Sequence, residues 1–277
     1  MPIDRWMTGD IAANGTTLHW TRTGGDLPQV VLAHGLTDDG LCWAPVAREL
    51  EGDYDLVMVD ARGHGHSAAP AAGYEPLTMG ADLIAACEAL ELRRPVLVGH
   101  SMGAVASLLA AGLRPDVVRA LFLEDPPGMW AMSRPENAEE IAVGLRRQIE
   151  ANALMPASEL AAIGRAENPR WSDQEIAAWV AAQQSVQPAV TAFFDGDDLE
   201  SIKWGELLGA VKCPVRLALA DTAVGSLLTD EGLAALRRYI PRLQSKRFPS
   251  AGHSVRRDAF VPYMENLREF LGANTRA

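Results

Sequence analysis

Gly99-His100-Ser101-Met102-Gly103 is the stretch of this sequence whose residue types and spacing point most directly to chemistry. It is a G-x-S-x-G pentapeptide that follows the apolar run Val96-Leu97-Val98 and precedes a small, apolar helical stretch from Gly103 to Leu113. Between a strand and a helix this pattern forces a sharp turn, and the central serine takes a strained backbone conformation. A side chain at position 99 or 103 would collide with neighbouring backbone, and glycine at both places relieves that crowding. The turn lifts the Ser101 hydroxyl clear of a sheet and leaves the Met102 N–H at a helix N-terminus, facing a carbonyl under attack. A serine so placed suits nucleophilic acyl transfer, which needs a base for the hydroxyl proton and an acid to orient that base.

The base must come from six histidines: His19, His34, His64, His66, His100 and His253. His19 lies in an N-terminal hairpin, and His34 and His100 adjoin glycine or the serine inside motifs. His64 and His66 could suggest a metal pair, but no further ligand pattern accompanies them, so no metal is expected. His253, in Ser250-Ala251-Gly252-His253, follows the last strand pattern (Ser245 to Phe248) and precedes the final helix.

Bringing these groups together requires strands that end side by side. Short apolar runs occur at Gln29 to Ala33, Asp55 to Val59, Pro95 to Val98, Ala120 to Leu123 and Val215 to Ala220. Runs of that length bounded by turn residues suit buried strands of a mostly parallel sheet. Helical patterns alternate with them. Met79 to Leu92 places Leu83, Ile84, Cys87 and Leu90 on one face, and Thr229 can cap a helix over Leu233 to Tyr239 without a capping box. Upstream, Asn14-Gly15 is a turn dipeptide before the alternating Thr17 to Thr21, an antiparallel hairpin. Alternation of this kind gives an α/β fold with right-handed crossovers.

From Pro126 to Ala210 the strand signals stop, and helical patterns run over Ala138 to Ala153, Ser158 to Ala166 and Asp173 to Gln184. Four of the seven tryptophans, Trp130, Trp171, Trp179 and Trp204, fall here with Phe193-Phe194. The expected organisation is a core domain of residues 1–127 and 211–277 with a helical cap, residues 128–210, inserted into it. Only the tail Ala273 to Ala277 reads as unstructured.

With 277 residues, 48% of them hydrophobic, the chain can bury a full core without disulfides or structural metals. Cys42, Cys87 and Cys213 are odd in number and widely spaced, which indicates a reducing, cytoplasmic setting. A formal charge of −11 argues against nucleic acid as a partner. No apolar run approaches the ~18 residues of a membrane span, and no secretory signal opens the chain, so no membrane partner is expected. A homodimer is compatible with this composition.

Over nearly its whole length the chain resembles the α/β-hydrolase superfamily. The likeness rests on the Ser101 pentapeptide, on His34-Gly35-Leu36 after Val30-Val31-Leu32, on the D-x-R-G-x-G-x-S loop Asp60 to Ser67, and on Ala251-Gly252-His253. It implies an α/β-hydrolase fold, a mostly parallel central sheet flanked by helices with an inserted cap, and hydrolysis without a cofactor. It also implies His253 as the base of Ser101, with the backbone N–H groups of Leu36 and Met102 as oxyanion donors. Losing one such donor typically costs about a hundred- to a thousand-fold in rate. The acid is where the sequence departs from the pattern. The usual position after the strand Val215 to Ala220 falls on Ala223, with Asp221 two residues early. Zearalenone-hydrolase-like lactonases place the acid at the end of the preceding strand, here Leu123-Glu124-Asp125-Pro126. Asp125 is the first choice, and Asp221 and Glu124 are the alternatives. An aspartate after this strand also serves simply to cap a turn.

The expected reaction is two-step cleavage of an ester or lactone through an acyl-enzyme. Trp130, just past Asp125, together with Trp43, His34, Leu36 and Met102, would form a wall suited to a hydrophobic or aromatic substrate. Trp171, Trp179 and Trp204 are read as cap core, and Arg256 and Arg257 as solvated. Two rival functions fit the same motifs: a carbon–carbon bond hydrolase, and a non-catalytic receptor or binding protein of this fold. A dehalogenase or epoxide hydrolase is disfavoured, because those relatives carry aspartate where Ser101 stands.

Overall fold

The computed structural model of the chain describes residues 5–131, 138–194 and 201–275. Strands β1 (Met7–Ala13) and β2 (Thr16–Arg22) pair antiparallel around Asn14-Gly15, whose φ values of 45° and 74° are the left-handed pair that this dipeptide favours. β3 (Gln29–Ala33), β4 (Asp55–Val59), β5 (Val96–His100), β6 (Ala120–Glu124) and β7 (Val215–Leu219) fall on the five expected apolar runs, and β8 (Gln244–Arg247) follows. All eight form one sheet in the order β1-β2-β4-β3-β5-β6-β7-β8. β2 meets β4 antiparallel, and every neighbouring pair from β4 to β8 is parallel.

Parallel neighbours need crossovers rather than tight turns. α1 (Ala44–Leu50) leads from β3 to β4, α2 (Pro76–Ala89) from β4 to β5, and α3 (Met102–Leu113) from β5 to β6. Between β6 and β7 come α4 (Ala138–Leu154), α5 (Ala157–Glu167), α6 (Asp173–Ser185) and α7 (Trp204–Ala210). α8 (Asp230–Tyr239) joins β7 to β8, and the chain continues through α9 (Val255–Asp258) into α10 (Phe260–Thr275). α10 enters the stretch expected as unstructured because Phe270 and Leu271 are buried and anchor it. Of that tail, residues 276–277 lie outside the described residues.

Strand side chains alternate between two cores. Val31, Val57, Leu97 and Leu121 pack with α2 and α3, whereas Val30, Leu56, Val98 and Phe122 pack with α1 and α10. Burial on both faces is why these strands read as unbroken apolar runs. The chain steps outward from β3 to β4 and then returns to set β5 on the other side of β3. The carboxyl ends of β3 and β5 therefore frame a crevice at a switch in strand order, where open α/β sheets bind ligands.

Helices α4 to α7 lie within the expected cap, 128–210, of which 132–137 and 195–200 are outside the described residues. α6 is fastened to the rest of the chain where Gln183 Nε2 donates to the Thr37 carbonyl at 2.9 Å and Arg48 donates to Gln174 at 3.0 Å. Among the described residues no helix is long and apolar enough to cross a membrane.

Candidate active site

Ser101 ends the turn out of β5 and caps α3. Its φ of 52° and ψ of −116° lie where L-residues are seldom found. The Ser101 N–H donates to the Glu124 carbonyl at 3.0 Å, which ties the turn to β6. A Cβ on Gly99 would strike the Gly103 carbonyl, and one on Gly103 would strike the Ala33 carbonyl. Both glycines are therefore needed for α3 to begin this close to the sheet. Met102 N–H opens that helix, so it has no acceptor within the helix.

The loop after β3 lies alongside. Asp38 N–H donates to the Gly35 carbonyl at 3.1 Å and closes the turn that carries Leu36. His34 Nε2 accepts from Ala61 N–H at 2.9 Å, which leaves the proton on Nδ1, and Nδ1 lies 2.8 Å from the Gly35 carbonyl. Burial lowers the His34 pKa and keeps the ring neutral. The Gly35–Leu36 peptide, whose N–H is the expected oxyanion donor, is thus held from its carbonyl side.

His253, in the loop between β8 and α9, has Nδ1 2.7 Å from Oδ2 of Asp125. Its side chain is 31% exposed, whereas that of Asp125 is wholly buried. Asp125 sits at the end of β6 with φ 38°. Its carboxylate also accepts from Ser226 Oγ at 2.5 Å, Leu227 N–H at 2.9 Å and Ala220 N–H at 3.4 Å. A buried carboxylate supplied by so many donors keeps one orientation, and it turns the imidazole so that Nε2 faces away from it.

The two alternative acids are engaged elsewhere. Asp221 accepts from Ser250 N–H at 2.9 Å and Ala223 N–H at 3.0 Å, and these bonds hold its carboxyl below the usual range. Glu124, fully buried, accepts from Arg256 N–H at 2.7 Å and Arg256 Nη1 at 3.2 Å, and burial still pushes its pKa up.

Ser101 and His253 both line one cavity of about 600 Å³. Leu36, Leu145, Trp179 and Phe194 are among its apolar walls, and Asp38, Arg170, Arg257 and Asp258 among its polar ones. Four expected wall residues, Trp43, Trp130, His34 and Met102, stand elsewhere, which corrects the sequence reading. Trp43 is completely buried, with the Arg256 guanidinium 4.3 Å from its ring. Trp130 donates Nε1–H to the Gly232 carbonyl at 2.8 Å and packs edge-on against Trp204. His34 borders a small separate cleft beside Met102. Conversely, Trp171 and Trp179, expected as cap core, line the cavity while also packing on Leu160, Ile176 and Val180. Sequence patterning marks an aromatic as buried without saying what covers it.

Arg256 and Arg257 are also corrected. Both are buried rather than solvated, and they pair with Asp38, Glu124 and Glu175. Partners of Arg257 lie 82 and 219 residues away in the chain, so no local signal could reveal them. Burial alone would raise the Asp38 carboxyl, but the Arg257 and Arg256 guanidiniums hold it below its ordinary value. Burial, then Arg256, drives His100 well below the usual imidazole range, and its Nε2 lies 3.1 Å from the His253 carbonyl. His64 contacts the carbonyls of Leu36 and Arg62, and His66 packs against His19. Among the described residues no group of three or more histidine, cysteine or acidic side chains is placed to hold a metal ion.

A hydroxyl on a strained turn and an imidazole oriented by a buried carboxylate thus border one cavity, with Leu36 along its wall. A sequence model described as the Alpha/beta hydrolase family matches residues 30–263. An N-formylmaleamate deformylase of Pseudomonas putida is 29% identical over 269 residues, 95% of this chain and 96% of that protein. The solved structure of an E-2-(acetamidomethylene)succinate hydrolase matches with a TM-score of 0.78 at 22% identity, covering 96% of this chain and 99% of that one. An enol-lactonase from Burkholderia xenovorans matches with a TM-score of 0.74 at 21% identity, covering 95% and 100%. At such identities these two structural likenesses speak for the fold.

Proposed function

This chain belongs to the alpha/beta hydrolase family, and from that premise we propose that it is a serine hydrolase that cleaves a carboxylic ester or lactone with a sizeable, partly apolar acyl group. The observation that carries this reading is His253 Nδ1 held 2.7 Å from buried Asp125, in the cavity that strained Ser101 also borders. Ser101 Oγ attacks the carbonyl carbon while His253 Nε2 takes its proton, and the Leu36 and Met102 N–H groups receive the negative oxygen. The tetrahedral carbon then expels the alcohol oxygen, which takes the proton back from His253. Water, deprotonated by the same imidazole, attacks the acyl-serine and releases the acid. In a lactone the alcohol stays tethered, so one ring-opened product leaves.

A second reading is favoured by Arg170, whose Nη2 lies 3.4 Å from an Asp258 oxygen that already accepts from Gly252 N–H at 2.6 Å. Its guanidinium has donors to offer a ligand at the cavity wall. With the full-length similarity to an N-formylmaleamate deformylase, this supports cleavage of an acyl–nitrogen bond in a carboxylate-bearing substrate by the same steps.

The test is multiple-turnover hydrolysis of esters, lactones and N-acyl amides of graded size, each with and without a carboxylate. Ser101→Ala should reduce turnover to background with the melting temperature preserved. Turnover that survives this substitution would remove Ser101 from its role, and preference for a carboxylate-bearing amide would select the second reading.

A further inference from the structure

Arg256 and Arg257 follow His253 by three and four residues and run into the interior beside the cavity. Arg256 grips Glu124, the residue before Asp125, and its Nη2 donates to Asp38 Oδ2 at 3.3 Å. Arg257 takes the other oxygen of the same carboxylate, with Nη2 2.8 Å from Asp38 Oδ1. Its Nε donates to Glu175 Oε2 at 2.9 Å, and its guanidinium lies 4.5 Å from the Trp171 ring. Asp38 belongs to the turn that carries Leu36, and Glu175 lies in the first turn of α6.

Glu175 shows what this arrangement forgoes. Ser172-Asp173-Gln174-Glu175 is a capping-box sequence, and Ser172 Oγ does accept from Glu175 N–H at 3.2 Å. In a full capping box the glutamate side chain would reach back to the serine N–H. Here it turns instead to Arg257, and its second oxygen is buried with no hydrogen-bond partner among the described residues. Burying two guanidiniums and three carboxylates contributes little stability beyond what apolar residues of the same volume would give. Its specific effect is on geometry, because charged pairs with short, directed bonds fix where each segment sits.

Resting on the serine-hydrolase reading above, we propose that Arg257 is a positioning residue that couples helix α6 to the oxyanion loop, with Glu175 and Asp38 as its two handles. The coupling makes the placement of Leu36 N–H depend on α6, the helix that brings Trp179 to the cavity. Gln183, a second contact from α6 to Thr37 of this loop, lies two turns further along.

The experiment measures the rate at which a fluorophosphonate probe modifies Ser101, since the phosphonyl oxygen occupies the same donors as a carbonyl oxygen whatever the natural substrate. Wild type, Glu175→Gln, Asp38→Asn and the double variant are compared in the full chain, with kcat and KM on a p-nitrophenyl ester. Each single substitution should slow labelling and kcat by roughly tenfold with KM within about twofold, because a misplaced donor is felt in the transition state. The double variant should lose no more than Asp38→Asn alone, since Glu175 reaches the loop only through Arg257. Glu175→Asp, which keeps the charge, should label faster than Glu175→Gln. Labelling of Glu175→Gln at the wild-type rate, or losses that multiply in the double variant, would overturn the coupling and leave the serine-hydrolase reading intact. If Glu175→Gln does not fold, labelling of Asp38→Asn at the wild-type rate overturns it instead. Wild type that resists the probe altogether overturns both.

Discussion

Two aspartates compete, on sequence grounds, for the imidazole of His253, and their neighbours separate them. Asp125 is enclosed and gathers donors from Ser226, Leu227 and Ala220 as well as His253. Asp221 faces two backbone N–H groups, Ala223 in its own turn and Ser250 in the loop after β8. Asp125→Asn should lower kcat by roughly three to four orders of magnitude, because an amide presents an N–H to groups that are themselves donors and permits the wrong imidazole tautomer. Asp221→Asn should leave kcat within about threefold and lower the urea midpoint only slightly. Steady-state rates and urea melts on the two variants read this out, and the reverse pattern would reassign the acid. Ser101 and His253 are legible from a few adjacent residues, since a turn motif is local. Asp125 is legible only through the vacancy at Ala223, because which strand end faces the imidazole depends on residues a hundred positions apart.

Strands and helices are where the sequence is most readable. Runs such as Leu56 to Val59 are buried on both sides, so their apolarity is continuous and their ends are marked by turns. Thr229 accepts from Gly232 N–H at 3.0 Å, the cap expected without an acid at the third position. Less readable is the helical segment between β6 and β7, where Trp130 and Trp171 exchange expected roles. An amphipathic stripe reports burial, whereas the identity of the covering element is set by tertiary packing. Two predictions belong at this scale. Gly103→Ala should destabilise the chain by about 1–3 kcal/mol, since the new methyl meets the Ala33 carbonyl and α3 must move away from β3. Ser172→Ala should cost about 1 kcal/mol by removing the α6 cap. Urea midpoints test both, and an unchanged midpoint for Gly103→Ala would contradict the close approach.

At the scale of the whole molecule, the reversal of strand order between β3 and β5 brings the Leu36 loop and Ser101 together, and the apolar runs alone do not declare that order. Nor do they declare the acidic cluster beneath the loop. Burial, then the carboxylates of Asp60 and Asp38, raise the Asp39 carboxyl to about 7, and one of its oxygens has no hydrogen-bond partner among the described residues. Unfolded, the same group titrates near 3.9. Between about pH 4 and pH 7 the folded chain therefore keeps a proton that the unfolded chain has lost, so this group's contribution to stability falls as pH rises. The loss reaches up to about 4 kcal/mol by pH 8. Asp39→Asn should match wild type in urea near pH 4 and exceed it increasingly towards pH 8; a constant difference would discount the titration. The paired arginines beside His253 carry a different consequence, for engineering. Glu175 lies in the helical segment between β6 and β7, whereas Arg257 and Asp38 lie outside it. A chimaera that imports another hydrolase's segment between β6 and β7 would leave buried Arg257 with Asp38 as its one remaining carboxylate partner among the described residues, so residues 38, 175 and 257 must be transplanted as a set.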